Sequence, residues 1–145
     1  MSKSEFDPNV KSFRACTERL EEAVKGAGLR TEGSIITSRD AKAEDAVKAL
    51  AIDNVPPGFQ KWQLPVWLNK PSHLFMTVAE PGAHSTKHSH DDGDGIRFIV
   101  SGSISYNGQE LTAGDWMFIP AGVPYSFEVG RLGAVMCYCY CCCCA

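Results

Sequence analysis

The chain has 145 residues, a single-domain length, and its 44% apolar and 21% charged residues are ordinary for a globular protein. Lys plus Arg number 14 against 17 Asp plus Glu, for a net charge of −3 and a pI of about 5.8, and no basic stripe forms, which argues against a nucleic-acid partner. No apolar run reaches the roughly 18 residues of a membrane span, and the first residues lack the apolar core of a signal peptide, so the expectation is a cytoplasmic protein with no membrane partner.

The first part of the chain reads as helical. Asp7-Pro8 looks like a cap with proline at the first helical position. Phe13, Cys16, Leu20, Ala23, Val24 and Ala27 then recur at steps of three and four, a single apolar stripe, and Gly26 and Gly28 end it. A second helix is expected after Ser38 or Asp40, with Ala43, Ala46, Val47 and Leu50 on its apolar side. The stretch DNVPPGF, Asp53 to Phe59, breaks it, because adjacent prolines cannot continue a helix.

From Lys61 onward short β-prone runs alternate with turn signals. Strands are expected at 62–68, 74–79, 96–100, 103–106, 109–111, 116–119, 126–129 and 134–140. Asn107-Gly108 is a hairpin signal, because both residues tolerate positive φ. Many short strands separated by Gly and Pro turns point to an all-β barrel or two-sheet architecture. The division read from the sequence is a helical segment over 1–56, a β unit over 57–141 and a cysteine-rich end over 142–145.

Three of the four histidines fall in HSTKHSHDDGDG, residues 84–95. On a strand, residues i and i+2 point to one face about 7 Å apart, so the imidazoles of His88 and His90 can converge on one ion. A carboxylate joining two histidines makes the facial triad of non-haem iron. Asp94 is the first choice for it, then Asp92 and Asp91, and His84 is a candidate third nitrogen ligand. The same acids and glycines also suit a solvated turn. Arg97 alternates with Ile96 and Phe98. It is expected to point outward into solvent; pointing inward, it would receive a carboxylate or another anion. His73, before an apolar strand, reads as structural.

Two segments, Gly82 to Gly102 and Gly114 to Tyr125, together resemble the two motifs of the cupin superfamily. Gly82, His88, His90 and Gly102 fall on the first motif, and Gly114, Pro120 and Gly122 on the second. The family's acid position is Gly95, with Asp94 one residue earlier at the shorter allowed spacing, and the second-motif histidine position is Tyr125. The resemblance implies a cupin-type double-stranded β-helix, or jelly-roll, barrel with the helical segment at its N-terminal side. It implies a divalent metal ion (Fe, Mn, Ni or Zn) held by His88, His90 and Asp94 or His84, and a homodimer. It also implies a small-molecule substrate and dioxygenase-like oxidoreductase chemistry, with isomerase or lyase activity behind it. Tyr125 is the candidate catalytic residue as proton donor or orienting group, or alternatively a phenolate ligand.

Six of the last nine residues are cysteine. Cys137 and Cys139 alternate with Tyr138 and Tyr140, as a strand would place them on opposite faces. Such thiols suit soft ions, and the alternative reading of the chain is a metal- or small-molecule-binding or sensing cupin, without catalysis, in which this thiol-rich end takes part.

Overall fold

The structure, a computed structural model, describes residues 7, 10–57, 59–68, 73–91 and 93–140. In chain order the elements are α1 (Phe13–Ala27), β1 (Ile36–Thr37), α2 (Ala41–Ala49), β2 (Ala51–Ile52), β3 (Lys61–Trp62), β4 (His73–Ala79), β5 (Gly95–Tyr106), β6 (Gln109–Thr112), β7 (Trp116–Ile119) and β8 (Glu128–Tyr140). They divide into two compact units, Met1–Leu29 with Ala41–Trp67 and Arg30–Asp40 with Leu68–Ala145.

In the helical unit, α1 begins later than the Asp7-Pro8 pair suggests. Its cap is Ser12, whose hydroxyl accepts from the Ala15 N–H at 3.1 Å, the usual way of satisfying an orphan donor at a helix start. Gly28 closes the helix in the left-handed region, as expected. Ala23 of α1 is buried with Ala46 and Leu50, and Ala27 and Leu29 pack against them. The strand expected over 62–68 shrinks to the two-residue pairing of β2 with β3, Ala51 opposite Trp62. Pro65 lies buried just beyond it and has no N–H to give to a ladder.

The strand unit is antiparallel and all-β, as the sequence implies. Its sheet runs β1-β7-β5-β8-β4, with β6 also paired to β5. The expected strands 96–100 and 103–106 are one strand, β5, and 126–129 and 134–140 merge largely into β8. Register shifts between Ile99 and Ser101 and between Gly102 and Ile104 absorb the irregularity, so pairing continues past a bulge. Asn107 (φ 50°) and Gly108 (φ 78°) form the turn from β5 into β6, with Tyr106 opposite Gln109, as the hairpin signal predicts.

Alternation along the strands gives the sheet a core face. Ile99 and Ile104 of β5, Met117 and Ile119 of β7, and Ala134, Met136, Tyr138 and Tyr140 of β8 are all buried in one cluster. The intervening residues of β8 and β4 take the other face. There Leu74, Met76 and Val78 are 71%, 64% and 81% exposed, and Cys139 and Cys137 stand opposite Leu74 and Met76. Cys141 to Cys144 lie outside the described residues.

Residues 30–40 belong to the sheet, although helices flank them in sequence. Ile36 and Thr37 pair with Phe118 and Met117, and a polar clasp fixes them. The Asp115 carboxylate accepts from the Ser38 hydroxyl at 2.8 Å, the Thr112 N–H at 2.9 Å and Arg39 Nε at 3.0 Å, while the Ser38 oxygen accepts from the Trp116 N–H at 2.9 Å. Burial pushes the Asp115 carboxyl up. The hydrogen bonds from Thr112, Arg39 and Ser38 and the Arg39 charge outweigh it and hold the group below its ordinary value of 3.8. Asp115→Asn is expected to lose on the order of 1–3 kcal/mol at pH 7 by urea unfolding. Because the folded value is depressed, this contribution is complete above the unfolded carboxyl value, and the gap between the two proteins closes as pH falls through the folded one.

Candidate functional site

The segment 83–90 runs antiparallel to 122–129 without forming a long ladder. The Val129 N–H donates to the Ala83 carbonyl at 2.7 Å and the Ser85 N–H to that of Phe127 at 3.0 Å. His88 and Tyr125 exchange both backbone bonds, at 3.1 and 2.9 Å, and the Gly122 N–H donates to the His90 carbonyl at 2.9 Å. Gly82, Gly102, Gly114 and Gly122, the glycines of the two motifs, all adopt positive φ, which explains why those positions take glycine.

This pairing brings His88, His90 and Tyr125 together. The ring centroids of His88 and His90 are 5.1 Å apart, and those of His88 and Tyr125 4.7 Å. His88 Nδ1 lies 2.7 Å from the Thr86 carbonyl. A carbonyl only accepts, so Nδ1 carries a proton here. His90 meets the core face of β8, with its ring centroid 4.4 Å from that of Tyr140 and 5.6 Å from that of Tyr138.

Arg97 departs from its sequence expectation. It points inward and is only 7% exposed. On β5 it shares the core face with Ile99 and stands opposite Tyr138 of β8 and Met117 of β7. Its guanidinium carbon lies over the Tyr138 ring at 4.3 Å and the Phe127 ring at 5.1 Å. Nη1 meets the Met136 sulfur at 3.8 Å and Nη2 donates to the Tyr125 hydroxyl at 3.4 Å, while Nε is buried with no hydrogen-bond partner. Among the described residues no carboxylate pairs with it. The effective penalty for burying an unpaired ion is several kcal/mol, and the two ring contacts recover only about 0.5–2 kcal/mol each.

A short polar relay results. The Tyr125 oxygen accepts from Arg97 and lies 3.3 Å from His90 Nε2; where Nε2 is the unprotonated ring nitrogen, the phenol donates to it. The electrostatics agree. Burial first, then the His88 and Arg97 charges, lower the His90 value below 6.5 against a small opposing effect of Asp91. Burial, with a smaller contribution from Tyr125, pushes the Tyr138 phenol far up, so that it stays protonated.

The other expected ligands go elsewhere. Asp94 Oδ1 accepts from the Ala121 N–H at 2.9 Å, tying one motif loop to the other. His84 is exposed, bridges to Glu128 and lines a surface groove with Asn107 and Ser126. Asp91 is exposed and accepts from the Ser89 hydroxyl at 2.8 Å, and Asp92 lies outside the described residues. At Gly95, the family's acid position, an added Cβ would come within 2.5 Å of the Tyr138 hydroxyl. The volume that an acidic side chain would need is filled by a phenol from β8.

Whether these groups fit a divalent ion can be tested on their geometry. Two imidazoles bonded at about 2.0–2.1 Å to one ion have ring centroids roughly 4.5–5.2 Å apart, so the 5.1 Å separation fits two nitrogen ligands. The rest of the site does not fit. Among the described residues no three of His, Cys, Asp and Glu are grouped as a metal would need. His90 Nε2 is engaged by Tyr125, and the nearby charge is a buried cation. At roughly 6 Å and an effective dielectric of about 20, a divalent ion and a guanidinium repel by on the order of 5 kcal/mol.

Neither a family model nor a curated protein matches the sequence. Solved structures do resemble the chain. A protein of unknown function with a cupin-like fold from Ralstonia eutropha is 21% identical over 51% of this chain and 49% of its own, with a TM-score of 0.45. An RmlC-like cupin from Shewanella frigidimarina is 22% identical over 50% of this chain and 67% of its own, with a TM-score of 0.43. A protein with a double-stranded β-helix domain from Klebsiella pneumoniae is 22% identical over 52% of this chain and 71% of its own, with a TM-score of 0.44. The matched region thus spans about half the length of the first of these.

Sequence reasoning offered Arg97 as an anion receiver only if it pointed inward and favoured the outward placement, and it did not single out Tyr138 or Tyr140. The usable signal was the Cys-Tyr-Cys-Tyr alternation, which commits both tyrosines to one face once Met136 is placed in the core. Two outcomes follow from the geometry. A His90 depressed below 6.5 contributes stability that is complete above that value and is lost as pH falls toward its folded value. His90→Gln is therefore expected to flatten the fall of Tm below pH 6.5, read by calorimetry. Gly95→Ala is expected to cost about 1–3 kcal/mol by urea unfolding, because its methyl group forces Tyr138 to move.

Proposed function

We propose that this chain binds a small organic molecule at the cluster of His88, His90, Tyr125, Tyr138 and Arg97, without a resident metal ion. The observation that carries the reading is the relay from Arg97 through the Tyr125 hydroxyl to His90 Nε2, set among aromatic rings. A few convergent polar groups on an apolar, aromatic wall are the usual composition of a small-molecule site. In this reading Tyr125 and the neutral His90 orient the bound molecule by hydrogen bonds, the Tyr138 phenol offers a further proton, and the rings of Phe127 and Tyr140 exclude water. The chain then acts as a binding or sensing protein.

A second reading is favoured by one distance. The 5.1 Å separation of the His88 and His90 rings suits two ligands of one ion, and the cupin resemblance attaches dioxygenase-like oxidoreductase chemistry to such a pair. When bound, a divalent ion would act there as a Lewis acid. The homodimer implied by the resemblance belongs to either reading and is supported by β4, which ends the sheet among the described residues and carries Leu74, Met76 and Val78 on its exposed face.

Elemental analysis of the purified protein separates the two. The first reading expects well under one metal ion per chain, with no difference between the native protein and His88→Ala/His90→Ala. Roughly stoichiometric metal that disappears in the double variant would establish the second. A chain ending at Tyr140, which keeps all of β8, assigns any metal held by the terminal cysteines.

A further inference from the structure

We propose that the molecule bound at this site is a small organic monocarboxylate and that Arg97 is the residue that selects it. The proposal rests on the small-molecule reading above and adds the charge and shape of the ligand.

Three observations carry it. The first is charge. Arg97 is 93% buried by its 7% exposure, makes no ion pair among the described residues, and the groups that meet its guanidinium, Tyr125, Met136, Phe127 and Tyr138, include no carboxylate. A buried cation needs a compensating anion, and one positive charge calls for one negative charge. The second is the arrangement of donors. Tyr138 and Phe127 stack on the guanidinium, Nη2 is engaged by Tyr125 and Nη1 makes only a weak contact with a thioether. The edge that remains is the one carrying Nε, which has no partner. A guanidinium edge matches the plane of a carboxylate, with two parallel N–H donors for two oxygens, whereas a tetrahedral phosphate or sulfate brings more charge and more acceptors than the donors here satisfy. The third is the replacement pattern. Where the cupin motifs have an acid and a third histidine, this chain has Gly95, backed by the Tyr138 hydroxyl, and Tyr125. Both changes remove a metal-ligating group and put a hydrogen-bond donor beside the guanidinium. The aromatic rings around it favour a ligand whose carbon skeleton is flat or apolar.

The test uses the whole protein in EDTA. Thermal unfolding is recorded with benzoate and butyrate, and with the neutral isosteres benzamide and butyramide, for the native chain, Arg97→Met and, at an exposed arginine of β8, Arg131→Met. The expected result is a rise in Tm with the carboxylates and none with the amides, retained in Arg131→Met and lost in Arg97→Met. Ligand-free Arg97→Met is expected to melt higher than the native protein, since a buried unpaired charge is replaced by an apolar side chain of similar length. A lower Tm for ligand-free Arg97→Met would overturn the proposal, because it means that the charge is already balanced within the chain. Equal shifts with acids and amides would overturn the anion preference and leave the small-molecule reading standing. The absence of any carboxylate shift overturns it as well. Shifts that appear only when EDTA is omitted and a metal is added would overturn both this proposal and the metal-free reading.

Discussion

Arg97 faces the core because strand geometry leaves it no alternative. Ile99, two residues on, is buried in the same cluster, and the register of β5 with β8 sets Arg97 opposite Tyr138 and Ile99 opposite Met136. An ion so placed must be accommodated by its neighbours, and the strand unit's interior reads as that accommodation. Phe127 and Tyr138 offer ring faces, Met136 a polarisable sulfur and Tyr125 an oxygen that passes the interaction on to His90. Each of these is weaker than a carboxylate partner, so together they hold the guanidinium in place without neutralising it.

The same constraint accounts for the two departures from the cupin motifs. A divalent ion and a guanidinium repel at short range in a poorly screened interior, so the inward Arg97 opposes a metal ion placed beside it. Gly95 has no side chain to offer, and the space beside it holds the Tyr138 hydroxyl. Tyr125 occupies the second histidine position and is spent on the relay. His88 and His90 keep their places beside Tyr125, His88 Nδ1 on the Thr86 carbonyl and His90 Nε2 on the Tyr125 hydroxyl.

Much of this was legible in the residues. The all-β character, the hairpin at Asn107-Gly108, both helices and the closeness of His88, His90 and Tyr125 follow from turn chemistry and motif spacing. The misplaced features have local physical causes. The first cap went to Asp7 because Asp-Pro is the stronger pattern, although Ser12 stands immediately before the apolar stripe. Residues 30–40 gave no sign of joining the sheet, because Ile36 and Thr37 are too short a run to show alternation and are fixed by the distant Asp115. Arg97 looked solvated because charge usually wins over strand parity, and only the pairing register shows that here parity wins. The Asp94 carboxylate, expected beside His88 and His90, also links two loops through the Ala121 N–H, a tie that motif spacing does not show.

The placement of Tyr138 and Tyr140 on the last described strand bears on the order of assembly. β8 pairs with β4 and with most of β5, partners that emerge tens of residues earlier during synthesis. Until the chain is out to residue 140, the nascent protein carries β4 with no neighbour and Arg97 with no ring stacked on it from β8. Such long-range pairing is intrinsically slow and exposes strand edges meanwhile. The interior is therefore sealed, and its charge first sheltered from water, only when the final strand slots between two that have been waiting for it.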